Sequence, residues 1–395
     1  MTFYASASFF VALVLAVVPA AAFGLTGHRI KRYGFVASWV MLALLFAGTP
    51  QTLACFALFV VVSCATTFWT LRSWQTGRES LVTYRVSLAA VLAPLVIYKV
   101  TLAAGCGILG FIGISYLTFR SVQVLVEIRD GLIRELTLPD YLYFLTFFAT
   151  FTSGPIDRSR RFLEDADRTL SRDEYADLLS RGIMLILLGA VFQLVIVTIA
   201  MTYYDPDRPL LANGLAYGVG RQVANAYLYA IYLFFDFAGY SLMAVGASYC
   251  FGIRCPRNFR APFAALDLKD FWNRWHITLS TWLRDFVFMR FVRTATKRKW
   301  FGSRLARACA GYVVNMTLMG AWHGITPDYL AYGAYHGLLL AATEAYQKKS
   351  AFHKRHKGSR WYQACSWFVT LHLVILGFAL FSGQIGFIAE RIVNG

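Results

Sequence analysis

The run Ile183-Met-Leu-Ile-Leu-Leu-Gly-Ala-Val-Phe-Gln-Leu-Val-Ile-Val-Thr-Ile-Ala-Met-Thr-Tyr203 decides the fold class, because it contains no Asp, Glu, Lys or Arg. A helix needs about 20 mostly apolar residues to cross a hydrocarbon core of roughly 30 Å, and this run has that length. Further apolar runs lie near residues 9–23, 35–47, 53–68, 82–97, 102–117, 141–151, 223–250, 308–319, 329–346 and 367–381. The sequence therefore predicts an all-α polytopic membrane protein.

The composition agrees with this fold class. The 395 residues are 58% hydrophobic and 15% charged, and the mean hydropathy is +0.52. Several apolar runs are too short to cross a bilayer alone, so we expect about 11 membrane helices with some re-entrant pieces that are buried in protein. We expect residues 1–395 to form a single integral-membrane domain. The first run, 9–23, follows a segment without Lys or Arg and is expected to remain as a span rather than act as a signal peptide.

Charge narrows the classes of partner. The chain has 38 Lys and Arg against 21 Asp and Glu, a formal net charge of +17. In a membrane protein such an excess usually lies in cytoplasmic loops, and we expect the basic loop 293–307 to face the cytoplasm. A basic surface favours anionic lipid and acidic proteins. Nucleic acid is not the implied partner, and the histidine and cysteine spacings indicate no metal site.

The stretch Lys269-Asp-Phe-Trp-Asn-Arg-Trp-His-Ile-Thr-Leu-Ser-Thr-Trp-Leu-Arg-Asp285 is unusually polar for such a chain. Interpreted as one helix, it separates two sets of side chains. The apolar set contains Trp272, Trp275, Leu279, Trp282 and Phe286. The polar set contains Asn273, His276, Ser280 and Arg284. A polar stripe is costly in hydrocarbon, so we expect it to line a cavity or pack on protein, although an interfacial helix with aromatic anchors is the alternative.

Two histidines are candidate catalytic residues. His276 lies on the polar stripe, and His323 lies in Met319-Gly-Ala-Trp-His-Gly324, where the small neighbours suggest room for a substrate. An imidazole titrates near neutral pH and can accept a proton from a hydroxyl, which suits acyl transfer to an alcohol. The alternative for each is a core histidine with satisfied hydrogen bonds. The sequence contains no Gly-x-Ser-x-Gly motif, which favours direct transfer over an acyl-enzyme.

Asp236 places a carboxylate in the middle of the apolar run 223–250. A carboxylate in such a setting needs a partner. We expect pairing with an Arg or Tyr within the helix bundle.

Taken together, several sequence blocks resemble the membrane-bound O-acyltransferase family, and they fall within residues 111–337. The blocks are Gly113-Ile-Ser-Tyr-Leu-Thr-Phe-Arg120, Gly154-Pro-Ile156, Phe235-Asp-Phe-Ala-Gly-Tyr-Ser241, Pro256-Arg-Asn-Phe259, Pro262-Phe263, the stretch 269–285 and Trp322-His-Gly324. Within the family, residues 270–276 and 286–291 are similar to the branch that transfers D-alanine to teichoic acid. The alginate O-acetylation branch is also similar, but it commonly has Ile-Pro-Leu-Gly-Gly where this chain has Met289-Arg-Phe291.

The resemblance implies a funnel-shaped helical bundle with a tunnel in the bacterial cell membrane. His323 would lie at its narrow point as the base, and His276 and Asn273 would orient it or stabilise the oxyanion. The resemblance and the stripe pattern give the supporting residues as Trp272, Trp275, Ser280, Arg284, Asp236, Trp322 and Gly324.

The same resemblance implies the substrates. The donor would be a D-alanyl or other acyl thioester on the phosphopantetheine arm of an acidic carrier protein, with no permanently bound cofactor. The acceptor would be a hydroxyl of an envelope polymer such as lipoteichoic acid, with partner membrane or extracytoplasmic transferase proteins possible. We expect the acidic carrier to dock through an apolar contact that is surrounded by positive charge. The predicted docking residues are Phe291, Val292, Arg293, Lys297 and Arg298.

Two other functions stay open from the sequence. One is O-acetyl transfer to a secreted polysaccharide, as in the alginate branch. The other is a transporter or flippase, which would also be polytopic with polar residues at mid-depth. A transporter predicts a coupling-ion site or an internal repeat, and the sequence indicates neither.

Overall fold

The computed structural model describes residues 1–205 and 215–386. These residues form α-helices with short turns and contain no strand. The α-helices are α1 (Ala7–Leu25), α2 (Lys31–Phe46), α3 (Pro50–Gln75), α4 (Leu81–Ala103), α5 (Ile114–Arg129), α6 (Leu138–Thr146), α7 (Ser159–Asp167), α8 (Arg172–Val191), α9 (Val197–Tyr203), α10 (Leu215–Cys250), α11 (Leu268–Trp272), α12 (Ile277–Leu283), α13 (Met289–Lys297), α14 (Arg304–His323), α15 (Pro327–Lys349), α16 (Ala351–His356) and α17 (Arg360–Phe381). Two π-helical turns, Phe192–Ile196 and Arg284–Phe288, interrupt the α-helical series.

Within the described residues, six helical segments are long and apolar enough to cross a membrane. They are Ala7–Leu25, Pro50–Gln75, Leu81–Ala103, Arg172–Tyr203, Gly218–Cys250 and Arg360–Phe381. Their outward faces are apolar, as the exposure of Val14 and Leu15 in α1 illustrates. A bilayer would cover such faces. The predicted all-α polytopic fold is confirmed, while the count of about 11 membrane helices stays a prediction.

The apolar run 102–117 does not form the predicted helix. α4 ends at Ala103 and α5 begins only at Ile114. Between them Gly105 and Gly107 have positive φ values of 83° and 59°, a conformation that glycine adopts without the steric cost of a Cβ. Residues 104–113 contain no charged or strongly polar side chain, so hydropathy could not distinguish this break from a helix.

The short run 141–151 consists of most of α6 and a 3-10 turn at Phe148–Thr150. A buried arginine binds the backbone where α6 ends. Arg120 is 1% exposed, and its Nη1 donates to the carbonyl oxygens of Phe144 and Leu145 at 3.0 and 2.8 Å. Its Nη2 donates to the carbonyl oxygen of Thr150 at 2.7 Å. Protein groups thus satisfy the backbone where the helix ends, as an interrupted helix in a membrane protein requires.

The chain divides into two compact units. Unit 1 contains Met1–Ala190 with Gly239–Arg257, and unit 2 contains Val191–Ala238 with Asn258–Gly395. All the residues that the sequence predicts for catalysis, for the tunnel and for carrier docking belong to unit 2. The prediction of a single domain over residues 1–395 stays a prediction.

Candidate active site

The polar stretch 269–285 is bent rather than continuous. α11 ends at Trp272, and α12 begins at Ile277. At the bend His276 has φ 42° and ψ 51°, a left-handed conformation that costs roughly 1–2 kcal/mol for a residue with a Cβ. The predicted single helix, and with it the two separate stripes, is therefore wrong.

Hydrogen bonds from the segment after Arg257 hold this bend. The carbonyl oxygen of Asn258 accepts from the backbone N of Ile277 at 2.9 Å, and its side-chain Oδ1 accepts from the Thr278 hydroxyl at 2.6 Å. The backbone N of Arg260 donates to the carbonyl oxygen of Arg274 at 3.0 Å. Because these partners lie outside the stretch, its own periodicity could not reveal the bend.

The bend places the His276 imidazole in an aromatic, desolvated setting. The side chain is 3% exposed, and its ring lies 4.6 Å from the Phe237 ring at an interplanar angle of 88°. Burial first, and then electrostatic interaction with the nearby His323 side chain, lower the pKa of His276, which lies outside the six candidate spans. Its Nε2 has no hydrogen-bond partner among the described residues. A neutral imidazole with an unused nitrogen results, and it can pair with a substrate or a water molecule.

His323 is the last residue of α14, and the Trp322 ring lies between it and the His276 imidazole in a chain of ring contacts. Its ring centroid is 4.5 Å from that of Trp322, which in turn lies 6.4 Å from that of His276. The rings of Tyr329 and Phe381 lie 6.0 and 5.0 Å away from His323 on other sides. His323 is only half-buried, so it is more accessible to a substrate than His276.

The glycines beside His323 have a different role from the predicted one. A Cβ on Gly320 would lie 2.2 Å from the carbonyl oxygen of Tyr329, and one on Gly324 would lie 2.5 Å from the Tyr329 ring. α15 fills both positions. The interpretation that these glycines leave room for a substrate is wrong, because they allow α15 to approach α14 and so fix the end of α14 that carries His323.

Four of the predicted polar and aromatic residues line one cavity of about 230 Å³. They are Trp272, Asn273, Ser280 and Arg284. The bend separates His276 from this set, and neither histidine lines the cavity. The structure therefore brings the predicted residues into two groups, the cavity group and the group of His276, Trp322 and His323.

Asn315 also lines the cavity, and the sequence analysis did not predict it as a site residue. It is 8% exposed, and its Oδ1 has no hydrogen-bond partner among the described residues. A buried polar atom without a partner is costly, which indicates that water or a ligand pairs with it. An amide within the apolar run 308–319 was the signal that could have identified it.

Trp275 and Asp236 lie away from the cavity lining. The Trp275 ring stacks on Phe271 at 5.7 Å and lies 4.8 Å from Phe378, which makes it a core residue. Asp236 accepts a hydrogen bond from the Gln193 amide at 3.2 Å. Among the described residues no Arg or Tyr forms a hydrogen bond or ion pair with Asp236, so the predicted pairing is not formed as such. The π-turn at Phe192–Ile196 supplies the amide instead, and Tyr232 is close enough to interact with Asp236 electrostatically.

The predicted carrier-docking residues lie on α13 and at Arg298, the residue that follows it. Arg293, Lys297 and Arg298 are exposed, whereas Phe291 and Val292 are half-buried. The exposed apolar surface near these residues comes from the side chains of Met289, Trp300 and Phe301, which are 55%, 41% and 48% exposed. Residues 289–307 contain no Asp or Glu. This surface thus combines apolar contact area with the exposed positive charge of Arg293, Lys297 and Arg298.

Comparison with known proteins gives a consistent result over most of the chain. A sequence profile of MBOAT, the membrane-bound O-acyltransferase family, matches residues 39–382. The chain is 39% identical over 393 residues to a teichoic acid D-alanyltransferase of Bacillus subtilis, covering 97% of this chain and 98% of that protein. It is 36% identical over 394 residues to a protein of the same name in Streptococcus thermophilus, covering 96% and 94%. A probable alginate O-acetylase of Pseudomonas syringae is 29% identical over 286 residues, covering 71% of this chain and 50% of that protein.

Proposed function

This chain belongs to the membrane-bound O-acyltransferase family, and we propose that it transfers a D-alanyl group to a hydroxyl of a cell-envelope polymer such as lipoteichoic acid. It is a multi-pass acyltransferase of the bacterial cell membrane. The similarity to teichoic acid D-alanyltransferases over nearly the whole length of both chains carries the assignment of the acyl group and the polymer.

In this proposal the donor is a D-alanyl thioester on the phosphopantetheine arm of an acidic carrier protein. The acceptor oxygen attacks the thioester carbonyl carbon while His323 takes the hydroxyl proton. The C–S bond then breaks as the ester forms, and the protonated His323 gives its proton to the thiolate leaving group. A thioester is already activated, so the protein mainly positions it, removes the proton and excludes water.

The half-buried position of His323 supports its role as general base, because a base must reach the proton that it removes. The unpaired Nε2 of His276 is suited to orient the acceptor or, when protonated at that nitrogen, to donate to the developing oxyanion. Asn273, Ser280 and Asn315 supply amide and hydroxyl groups in the cavity of about 230 Å³, where they can pair with the amides of a pantetheine arm. No bound cofactor or metal takes part in this scheme.

The exposed basic face of α13 supports the docking of an acidic carrier. Arg293, Lys297 and Arg298 provide charge that steers association, and the nearby exposed Trp300 and Phe301 provide apolar contact. Acetyl transfer to a secreted polysaccharide is the second candidate, favoured by the similarity to alginate O-acetylases. That similarity spans half of the relative's length, so it is the weaker argument.

A transfer assay in membrane vesicles tests the proposed function. Vesicles that contain this chain receive its carrier protein loaded with radiolabelled D-alanine, and label is counted in the lipoteichoic acid fraction. A parallel reaction uses the same carrier loaded with radiolabelled acetate. We expect transfer of D-alanine that depends on the chain. Transfer of acetate alone would support the polysaccharide O-acetyltransferase instead.

A further inference from the structure

Unit 2 contains a second cavity, of about 700 Å³, whose lining includes none of the predicted site residues. α15, α16, α17 and the segment that leads into α11 enclose it. α15 and α17 run in opposite directions because the short α16 connects them. Residues near the end of α15 and the start of α17 therefore share one end of the cavity.

The two ends of the cavity differ in polarity. At the α16 end its lining includes His353, Lys357 and Tyr362. Away from α16 its lining includes Leu339 and Leu373. The cavity is thus amphipathic along the direction of the helices.

Hydrogen bonds fix the polar wall. The His353 Nδ1 and the Tyr362 hydroxyl lie 2.8 Å apart, and the Tyr362 hydroxyl donates to the Tyr346 hydroxyl at 3.3 Å. The ring centroid of His353 lies 5.5 Å from that of Tyr346 and 5.7 Å from that of Tyr362. These rings hold the end of α15, α16 and the start of α17 together around the opening.

The segment 348–360 is strongly basic and contains no Asp or Glu. Its Lys and Arg residues are all exposed, and they are Lys348, Lys349, Lys354, Arg355, Lys357 and Arg360. Lys348 pairs with Glu344, which also pairs with Lys269. The other five form no ion pair with a described residue.

The acidic residue in the lining does not compensate this charge. Asp267 Oδ1 accepts from the backbone N of Lys269 and of Asp270, both at 2.9 Å, and its Oδ2 accepts from the Gln347 amide at 2.9 Å. Both carboxylate oxygens are therefore engaged within the protein. The positive charge at the α16 end stays available to an anion.

Exposed aromatic residues place this end at a membrane surface. Phe352 and Trp361 are 51% and 52% exposed, and Trp367 is 40% exposed. The basic segment leads directly into the candidate span Arg360–Phe381. Aromatic belts mark the membrane–water interface, and basic clusters beside a span attract anionic lipid headgroups.

We propose that this cavity binds an anionic phospholipid of the leaflet that segment 348–360 faces. Its phosphate lies at His353 and Lys357, and part of an acyl chain lies along Leu339 and Leu373. Charge complementarity selects the anionic headgroup, and the apolar far end selects a lipid over free phosphate. This site does not depend on which acyl group the enzyme transfers.

Native mass spectrometry of the purified full chain tests the site. The protein is released from micelles that contain phosphatidylglycerol and phosphatidylcholine with the same acyl chains. We expect preferential retention of phosphatidylglycerol. The double variant Lys354→Ala/Lys357→Ala should weaken that retention roughly 25-fold, because each basic side chain near an anionic surface contributes about a fivefold factor.

Two further variants separate the cavity from general surface charge. Ala342→Trp obstructs the cavity from an exposed position on α15 without changing charge, and we expect at least a tenfold weaker retention. Arg78→Ala/Arg85→Ala removes two exposed basic residues, one just before α4 and one in its first turns, and should leave retention unchanged. Equal retention of both lipids, an equal loss in the α4 control, or full displacement by millimolar inorganic phosphate would overturn the proposal. The proposal would also be overturned if the wild-type protein retained a protein chain instead of a lipid, and if Ala342→Trp displaced that chain.

Discussion

His323 is the residue on which the proposed chemistry depends most directly. We expect His323→Ala to insert and fold, because its side chain is half-buried, and to lose roughly 10²- to 10⁴-fold in transfer rate, as general-base removal does. Single-turnover transfer from the loaded carrier measures this loss. His28→Ala, in an exposed loop, is the matched control and should keep full activity. Near-normal transfer by folded His323→Ala protein would leave His276 as the candidate base.

His276 combines a chemical role with a backbone constraint, and two substitutions separate them. Both His276→Ala and His276→Gly remove the imidazole and should abolish most transfer. Only glycine adopts φ 42° without the steric cost of a Cβ, so the glycine variant should be more stable by about 1 kcal/mol. Thermal unfolding in detergent measures the difference. An alanine variant as stable as the glycine variant would show that the bend is not strained.

At the scale of helices, the contact of α14 with α15 determines where His323 lies. We expect Gly320→Ala to destabilise the protein by about 1–3 kcal/mol, because its new Cβ would lie 2.2 Å from backbone of α15. Denaturation monitored by tryptophan fluorescence measures this cost. Gly302→Ala is the control, since a Cβ there meets nothing within 4 Å. Equal stability of the two variants would mean that α14 and α15 separate at little cost.

α13 tests the proposed carrier interaction. We expect Lys297→Glu/Arg298→Glu to slow association with the acidic carrier and to leave dissociation nearly unchanged, because both side chains are exposed. Stopped-flow binding at several salt concentrations measures both rates, and wild-type association should weaken as salt rises. The pair Arg78→Glu/Arg85→Glu reverses the same charge elsewhere and serves as the control. Association that is independent of salt and of both reversals would remove α13 from the docking surface.

At the scale of the whole molecule, the charge distribution predicts the orientation in the membrane. The basic segment 293–307, predicted as a loop, consists of the end of α13, a turn and the start of α14. It should face the cytoplasm, so a cysteine placed at exposed Thr296 should resist an impermeant maleimide in intact cells. The experiment requires a background without native cysteines, because Cys106 and Cys365 are exposed. Labelling after permeabilisation is the positive control. Rapid labelling of intact cells would reverse the orientation.

Hydropathy was sufficient to predict an all-α membrane protein, because long uncharged runs have few stable alternatives in lipid. Hydropathy could not predict contacts between segments that are distant in the sequence. Asn258 bends the chain at His276, and a helical period calculated within 269–285 contains no information about it. The role of Gly320 was misinterpreted for a similar reason, since a missing side chain indicates available space but not what occupies it. The motifs supplied the candidate residues, and contacts between distant segments determined how those residues are arranged.

The left-handed bend at His276 determines when the free-energy cost of orienting its side chain arises, during folding or during each reaction cycle. A flexible histidine would have to be ordered in every catalytic cycle, and that entropy would add to the barrier. Here the hydrogen bonds from Asn258 to Ile277 and Thr278 fix the backbone beside His276, and the Phe237 ring packs against its imidazole, when the chain folds. This cost therefore reduces the free energy of unfolding and does not add to the activation free energy of the reaction. That is the advantage of a preorganised site.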